Sequence, residues 1–259
     1  MASRGGPALP GTVLAREVLG PHLVRLVVGD LNGFESTGVP DEWVPLTVQG
    51  QFQTRYYTVR SWSSGELVLD VVVHDEGLVT EWAQTECVGD TVGIGRPKGS
   101  YDEPQGARWV VLVGDLTALP AIARISETTR LPVTAWVESP DGPLPDYLGA
   151  GSATVTWLGP PAPAQSRLAE VVRGLSWPSG DGYFWMAGES AQMRDIRKHL
   201  RRELGWDPRS HDVMGYWSGA RGRQARAVDP GPIYRRGKAA GKSDEEIWAE
   251  YDQARSAGS

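Results

Sequence analysis

The apolar residues of this sequence change their spacing near Gly106, and that change constrains the fold more than any other feature. Before Gly106, apolar runs of strand length lie between turn signals, such as 12–19 and 22–28, which Gly20-Pro21 separates. After it, apolar runs such as 109–113 alternate with segments of helical spacing. The first pattern is typical of a small antiparallel barrel, and the second of a parallel sheet flanked by helices.

The sequence therefore predicts a six-stranded antiparallel barrel followed by an α/β domain. The predicted barrel strands cover 12–19, 22–28, 43–48, 55–60, 66–73 and 91–94. The predicted strands of the second domain cover 109–113, 133–137, 154–158, 183–187 and 211–216. Predicted helices cover 117–129, 165–174 and 190–204. We expect domains over 1–105 and 106–217, and a basic tail over 218–259 that ends in a short helix.

Charge and cysteine content exclude several classes of protein. The net charge of −6 argues against a nucleic-acid binder, because phosphate contacts need a basic surface. One cysteine, Cys87, allows neither an internal disulfide nor a cysteine-ligated metal cluster, and the four histidines lack the spacing of a helical metal site. We therefore expect no metal site, and any electron chemistry needs an organic cofactor.

The chain shows neither a signal peptide at its start nor an apolar run of about 18 residues that could span a membrane. We expect a monomeric cytoplasmic protein. The segment 216–242 nevertheless carries a charge of +6, from seven basic residues and one acid. Its basic residues are Arg221, Arg223, Arg226, Arg235, Arg236, Lys238 and Lys242.

The run Arg55-Tyr56-Tyr57-Thr58 lies on a predicted barrel strand, where Arg55 and Tyr57 share one face and Thr58 takes the other. An arginine can bind a pyrophosphate through two hydrogen bonds, an aromatic ring can lie against a flavin, and a threonine can reach a flavin nitrogen. An exposed charge beside a half-buried ring gives the same pattern, so the run alone leaves both interpretations open.

Two strand-turn-helix segments have the form of an anion site. The first runs through Val73 and His74 to Gly77 and opens a helix at Leu78-Val79-Thr80, whose free amides would favour a phosphate. The second runs from Gly114-Asp115 to a helix that Thr117 can cap. It lacks the glycine pattern of a dinucleotide-binding unit, so alone it is only a strand, a turn and a helix.

Taken in order, the motifs resemble the siderophore-interacting branch of the ferredoxin reductase superfamily. The resemblance covers roughly 12–217. Its motifs are Arg-x-Tyr-Thr at 55–58, Val-x-His at 72–74, and the segments 95–101, 114–122, 185–189 and 214–217.

This resemblance implies a barrel that holds FAD and an α/β domain that receives NADPH or NADH. Arg55 would bind the pyrophosphate, with Tyr56 beside it, while Tyr57 and Thr58 contact the flavin. Val73 and His74 would end the strand beside the cofactor, and Gly77, Leu78, Val79 and Thr80 would bind phosphate. Gly114, Asp115, Thr117 and Ala118 would border the nicotinamide, with Ala187, Gly188 and Glu189 opposite and Trp217 over the flavin.

The resemblance also implies a ferric siderophore as substrate, with ferredoxin as an alternative electron-carrier partner. An anionic chelate needs a positive patch on this acidic chain, and we expect Lys98, Arg221 and Arg223 to supply it. Two positions depart from the family pattern. Residue 116 is Leu where an acid is common, and 43–46 lacks a lysine that many members carry.

Several alternatives stay open at this point. The basic face of the helix 190–204 would suit the extra phosphate of NADPH, or it is simply solvated. The acceptor of electrons is a ferric chelate, or another flavin-linked acceptor. An accessory flavin-binding protein without turnover is the third possibility, and reduction of the bound flavin by NAD(P)H would separate it from an enzyme.

Overall fold

The computed structural model describes residues 8–51, 54–74, 77–148, 153–159 and 166–218, together with residues 236, 237, 240–242, 246 and 250. Six antiparallel strands close a barrel in the order β1-β2-β5-β4-β3-β6. These strands are β1 (Leu9–Gly20), β2 (Leu23–Gly29), β3 (Trp43–Thr47), β4 (Arg55–Ser63), β5 (Glu66–Val72) and β6 (Thr91–Ile94). The short helix α1 (Leu78–Gln84) lies between β5 and β6.

Five parallel strands form the second part of the molecule in the order β11-β10-β7-β8-β9. They are β7 (Val110–Asp115), β8 (Val133–Glu138), β9 (Ala153–Leu158), β10 (Tyr183–Glu189) and β11 (His211–Trp217). The helices are α2 (Leu119–Thr128), α3 (Leu168–Arg173) and α4 (Ser190–Lys198), with 3-10 turns at Pro145–Leu148 and Pro208–Ser210. The predicted barrel and parallel sheet are both confirmed.

The two central strands show why the second sheet could be predicted from apolar runs. All six residues of β7 are buried, as are the first six of β10, because helices cover both faces of a parallel sheet. The barrel strands alternate instead: Val44 and Leu46 of β3 are fully buried in the barrel core, while Thr47 is exposed.

Two details of the helices correct the predictions. Thr117 does not cap α2, whose N-cap is Ala118, because the Thr117 hydroxyl donates to Asp115 at 2.5 Å. The helix predicted over 190–204 changes to a π turn at His199–Glu203. Met193, Ile196 and Leu200 are buried as expected, but Leu204 is 40% exposed, since the wider turn rotates it off the buried face. The predicted helix after Ser243 lies largely outside the described residues.

The barrel and the sheet pack directly on each other. Leu23 of β2 is fully buried in the core of the second part, among side chains of β7 and α2. Beside it, Asp70 of β5 accepts two hydrogen bonds from Arg25 at 2.8 Å and one from the Tyr147 hydroxyl of the second part. We call Arg25, Asp70 and Tyr147 the Asp70 cluster. It fixes one side of the cleft between the two parts.

None of the helices in the described part of the chain is long and apolar enough to cross a bilayer.

Candidate functional site: a cleft between barrel and sheet

The first predicted motif lies on β4, and its pairing with β3 settles which side chains share a face. Tyr57 pairs with Val44, a core residue, and packs against the barrel core, whereas Thr58 pairs with Trp43 on the outer side. The predicted alternation of Tyr57 and Thr58 is therefore present. Burial raises the pKa of the Tyr57 hydroxyl, so it stays protonated. Arg55 and Tyr56, at the start of the strand, are exposed.

The strands β4 and β5 share hydrogen bonds over only part of their length. Their ladder runs from Ser63 and Glu66 to Val59 and Leu69, although β4 begins at Arg55 and β5 continues to Val72. Beyond Val59 and Leu69 no ladder pairing joins the two strands. Predicted cofactor residues lie on 55–58 of β4 and directly after the end of β5.

The residues on either side of 75–76, after β5, are those that the sequence predicts to bind a phosphate. Val73 is buried and donates its N–H to His22 O at 3.0 Å, while the His74 side chain is exposed. Gly77 has φ +132°, a value that residues with a β-carbon rarely adopt, and stands at the N-cap of α1. The predicted phosphate contacts of Leu78, Val79 and Thr80 would come from backbone amides, since Val79 and Thr80 are buried.

The second predicted motif lies at the carboxyl ends of β7 and β10, which are adjacent strands. Gly114 pairs with Ala187, and a β-carbon on Gly114 would stand only 2.4 Å from that of Ala118. Ala118 and Ala187 are completely buried, so they set the spacing of strand and helix rather than present a side chain to a ligand. If Ala118 and Ala187 border the nicotinamide, as predicted, they do so through backbone atoms.

The carboxylate of Asp115 ties this edge together. It accepts hydrogen bonds from the Thr117 amide at 2.9 Å, the Thr117 hydroxyl at 2.5 Å and the Trp217 indole Nε1–H at 2.6 Å. Burial nevertheless raises the pKa of Asp115. Trp217, predicted from a separate motif, is thus joined by a direct hydrogen bond to the motif that contains Asp115 and Thr117.

Trp217 reaches Asp115 because β11 changes register at its end. Gly188 pairs with Gly215 and Glu189 pairs with Trp217, which leaves Tyr216 as the extra residue of a bulge. The Ser190 hydroxyl donates to Trp217 O at 2.7 Å and holds the end of the strand. The Trp217 ring is 43% exposed, as expected for a residue at the cleft rather than in a core.

Glu189 has a structural role that the sequence did not suggest. Its carboxylate caps α4, accepting from the amides of Ala191 at 2.7 Å and Gln192 at 3.0 Å. The carboxylate that forms this cap is the one that the sequence predicts to border the nicotinamide. Whether Glu189 also faces a cofactor stays a prediction.

Two residues missed from the sequence link the two halves of the site. The Tyr216 hydroxyl is buried without a hydrogen bond of ordinary geometry among the described residues, and Thr58 is the polar neighbour that lowers its otherwise raised pKa. Asp41, fully buried, accepts from Ser100 and Tyr101 of the barrel and from Trp185 of the sheet. Neither contact had a sequence signal, because each joins residues more than 50 positions apart.

Of the three residues predicted to bind the ferric chelate, the structure describes one. Lys98 is exposed, and its backbone pairs with Trp43 of β3. Arg221 and Arg223 lie outside the described residues, as does Arg226.

Two family models match this chain, one on each part of the molecule. Residues 40–101 match the siderophore-interacting FAD-binding domain, and residues 107–220 match the siderophore-interacting protein model. The chain belongs to the siderophore-interacting protein family. The predicted resemblance is thereby confirmed.

Relatives and solved structures agree with this assignment. The NADPH-dependent ferric-chelate reductase of Escherichia coli is 27% identical over 80% of this chain and 91% of its own length. The mycobactin import ATP-binding/permease protein IrtA of Mycobacterium tuberculosis is 27% identical over 85% of this chain, which spans only 27% of that protein. The crystal structure of a siderophore utilization protein from T. fusca superposes with a TM-score of 0.72 at 27% identity, over 86% of this chain and 98% of its own.

The residues of the cleft fit FAD. No ladder pairing joins β4 to β5 over 55–58, the stretch that carries the predicted flavin contacts. The exposed guanidinium of Arg55 and the positive-φ turn at Gly77 give two separate contacts for a pyrophosphate. The buried Tyr216 hydroxyl, beside Thr58, is a polar group without a regular partner at the place where the two parts meet.

Proposed function

We propose that this protein is an FAD-dependent reductase that oxidises NAD(P)H and reduces ferric siderophore chelates. The observation that carries the proposal is the meeting of the two predicted cofactor sites: Thr58 of the barrel lies against Tyr216 of the sheet, next to Trp217 and Asp115. The family matches on both parts of the chain support it.

In this proposal, each part of the cleft has a separate task. Arg55 and the Gly77 turn bind the FAD pyrophosphate, while Tyr57 and Thr58 position the flavin ring. Gly114, Thr117 and Gly188 border the nicotinamide at the carboxyl edge of the sheet, where such ligands usually bind. Asp115 holds Trp217 at the border between the two sites. Bound flavin would supply the ability to accept a hydride and release single electrons, which ferric iron requires.

The choice of NADPH over NADH rests on α4 and the π turn that follows it. Arg194, Lys198, Arg201 and Arg202 are exposed and would suit the extra phosphate, whereas Arg197 donates to Val213 O at 2.8 Å. A ferric siderophore as substrate, a monomeric state, a cytoplasmic location and ferredoxin as a partner all remain predictions. So does the domain boundary at 105–106, which falls in the loop between β6 and β7.

The decisive experiment is an anaerobic titration of the purified protein. We expect a flavin spectrum that NADPH bleaches, and ferrous iron in a trapping assay once a ferric chelate is added. A wild-type protein that cannot be loaded with FAD contradicts the proposal at its first step. A bleached flavin with no ferrous iron from any chelate leaves a flavin reductase with another acceptor. A bound flavin that NADPH does not bleach favours the accessory protein.

FAD affinity tests the role of Arg55. Replacing it with Ala should weaken FAD binding by about 1.5–3 kcal/mol, the usual size of a charge-assisted hydrogen bond. Equilibrium dialysis of the apoprotein with FAD gives the dissociation constant. Arg96→Ala is the matched control, because Arg96 is also an exposed barrel arginine but lies outside the predicted site. Equal losses in both variants would show a general charge effect.

A further inference from the structure

The helix α2 connects the two predicted cofactor sites. Its N-cap, Ala118, directly follows the segment 114–117 that we expect to border the nicotinamide. Further along the helix, Arg124 reaches across to the barrel and donates from Nη1 to Val59 O at 2.7 Å. Val59 directly follows Thr58, the predicted flavin contact. A helix rises about 1.5 Å per residue, so the N-cap and Arg124 are separated by roughly 9 Å of helix.

The backbone of Val59 is held by hydrogen bonds at both of its polar groups. Its N–H donates to Glu42 O at 2.7 Å, and its carbonyl accepts from Arg124. Its side chain is completely buried in the barrel core. Val59 and Leu69 also form the last ladder pair between β4 and β5. The contact with Arg124 therefore lies where β4 leaves this ladder, one residue from Thr58.

The charge of Arg124 is enclosed between the two parts of the molecule. Its side chain is only 15% exposed, and its Nη1 atom lies 3.9 Å from Oε1 of Glu42, whose side chain is completely buried. Glu42 is itself fixed, since it accepts from the Ser36 hydroxyl at 3.0 Å and from Thr37. Burial lowers the pKa of Arg124, while the Glu42 carboxylate acts in the opposite direction. Because an arginine stays protonated in proteins, Arg124 is a charged donor held between two buried acceptors.

A second contact joins the same two elements in a different way. Arg60 of β4 forms an ion pair with Glu127 of α2 at 2.6 Å, about one turn beyond Arg124. Glu127 is 42% exposed, and the pair joins one side chain to another. It therefore links α2 to β4 without fixing the backbone of the strand, and it provides a matched comparison for Arg124.

We propose that Arg124 is a positioning residue for hydride transfer, which sets the distance between a nicotinamide at the start of α2 and a flavin against Thr58. The inference rests on the proposed function. In the transfer, the C4–H bond of the nicotinamide breaks, and its hydrogen with both electrons forms an N–H bond at flavin N5, so NAD(P)H is oxidised and the flavin is reduced. A displacement of about 1 Å can slow such a step about a hundredfold. Arg124 acts through the strand and the helix and takes no part in the bond changes.

Single-turnover kinetics separates positioning from binding. The FAD-loaded protein is mixed anaerobically with NADPH at a series of concentrations, and stopped-flow absorbance gives the limiting rate of flavin reduction and the apparent dissociation constant of NADPH. Arg124→Gln removes the charge and shortens the side chain, so the limiting rate should fall about ten- to a hundredfold. The dissociation constants of NADPH and FAD should change less than about threefold, because Arg124 contacts neither ligand in this role.

Two further variants complete the set. Arg124→Lys keeps the charge opposite Glu42 and should fold, but its side chain is shorter and lacks the planar fork, so we expect a limiting rate about five- to tenfold below wild type. Glu127→Gln is the matched control. It removes the exposed ion pair between the same two elements and should leave the limiting rate within about twofold of wild type.

Amide hydrogen exchange tests the same contact without turnover. In the oxidised, FAD-loaded protein, Arg124→Gln and Arg124→Lys should speed exchange in the segment 55–60, by about tenfold for the Gln variant. Exchange in β5 is the internal reference, because a general loss of stability would speed both. Glu127→Gln should leave the segment 55–60 as in wild type.

Three results would overturn the inference: a limiting rate within twofold of wild type in Arg124→Gln or Arg124→Lys, an equal loss in Glu127→Gln, or a loss that lies wholly in the affinity for NADPH. If Arg124→Gln does not fold, Arg124→Lys decides alone. A wild type that holds no FAD, or whose flavin NADPH does not bleach, contradicts the proposed function and this inference with it. A wild type that is bleached, with variants that match it, contradicts the role of Arg124 alone.

Discussion

Asp115 is a buried carboxylate that holds the edge of the sheet through Thr117 and Trp217. Its pKa is raised by burial, and Glu138 nearby adds to the increase. A raised pKa in the folded state means that the folded protein binds the proton more tightly than the unfolded chain does. The free energy of unfolding then falls as pH rises, because ionising Asp115 costs more free energy in the folded state than in the unfolded chain.

We therefore predict that the free energy of unfolding of the wild type falls relative to Asp115→Asn as pH rises above about 4, the ordinary pKa of an aspartate. Below that pH the group is protonated in both states, and the penalty is absent. The penalty is complete once pH exceeds the raised pKa in the folded state. Urea unfolding of both proteins at a series of pH values gives the difference. Parallel curves for the two proteins would contradict the prediction.

Gly188 supplies a second test at this edge. Its φ is +154°, and a β-carbon there would stand 2.7 Å from the Asp115 Oδ2 atom. Gly188→Ala should lower the free energy of unfolding by about 1–3 kcal/mol and slow flavin reduction by NADPH, while FAD stays bound. Stopped-flow absorbance measures the reduction.

Gly142→Ala is the control for Gly188→Ala. Gly142 also has a positive φ, +76°, but no atom lies within 4 Å of its β-carbon position. Gly142→Ala should lower the free energy of unfolding through backbone strain but leave the rate of flavin reduction unchanged. An unchanged reduction rate in Gly188→Ala would mean that the nicotinamide binds elsewhere.

The members of the site could be found from the sequence more readily than their contacts. Gly114, Asp115, Thr117 and Trp217 were all predicted from the resemblance of their motifs to the siderophore-interacting family, and their contact with a cofactor stays a prediction. The hydrogen bond from Trp217 to Asp115 could not be predicted. It spans 102 positions and depends on a bulge at Tyr216, which has no local sequence signal.

At the scale of elements, α4 depends on its N-cap. Glu189 accepts hydrogen bonds from two amides of the first turn that have no partner within the helix. Glu189→Ala should lower the free energy of unfolding by about 1 kcal/mol. Thermal and urea unfolding measure this loss.

The companion variant Glu189→Asp decides whether the residue does more than cap. Aspartate is a good N-cap, so stability should return to the wild-type value. NADP⁺ affinity, measured on the same variants, should also return if capping is the only role. Restored stability with weak NADP⁺ binding would instead support the predicted place of Glu189 at the nicotinamide.

Elements differ in how clearly the sequence marked them. The strands β7 and β10 were evident, because a parallel sheet buried on both faces needs continuous apolar runs. The π turn at His199–Glu203 was not, since apolar spacing at Leu200 and Leu204 also fits a regular helix. The turn at Pro145–Leu148 had no periodic signal, because it is held by the contact of Tyr147 with the barrel.

At the scale of the whole molecule, the barrel and the sheet are joined by apolar packing and by charge. Leu23 of the barrel is buried in the core of the sheet part. Arg60 of β4 forms an ion pair with Glu127 of α2 at 2.6 Å, and Arg124 of α2 donates to Val59 O at 2.7 Å. Because these contacts cross from one part to the other, we expect both parts to unfold in one transition.

The Asp70 cluster provides the test of this coupling. The Tyr147 hydroxyl donates to Asp70, whose side chain is completely buried, and the guanidiniums of Arg25 and Arg60 lie 5.8 and 5.5 Å from the centre of the Tyr147 ring. Tyr147→Phe removes only the hydroxyl and keeps both ring contacts. We expect a loss of about 1.5–3 kcal/mol, since the lost hydrogen bond is to a charged group.

Tyr147 belongs to the sheet part, yet the loss should appear equally in a probe of the barrel. FAD release reports the barrel, and amide hydrogen exchange of β7 and β10 reports the sheet. Both midpoints should shift together in urea. Tyr56→Phe is the control, because the exposed Tyr56 should cost less than about 0.5 kcal/mol. If FAD release keeps its wild-type midpoint while the sheet unfolds earlier, the two parts are independent, and the Asp70 cluster does not fix the cleft between them.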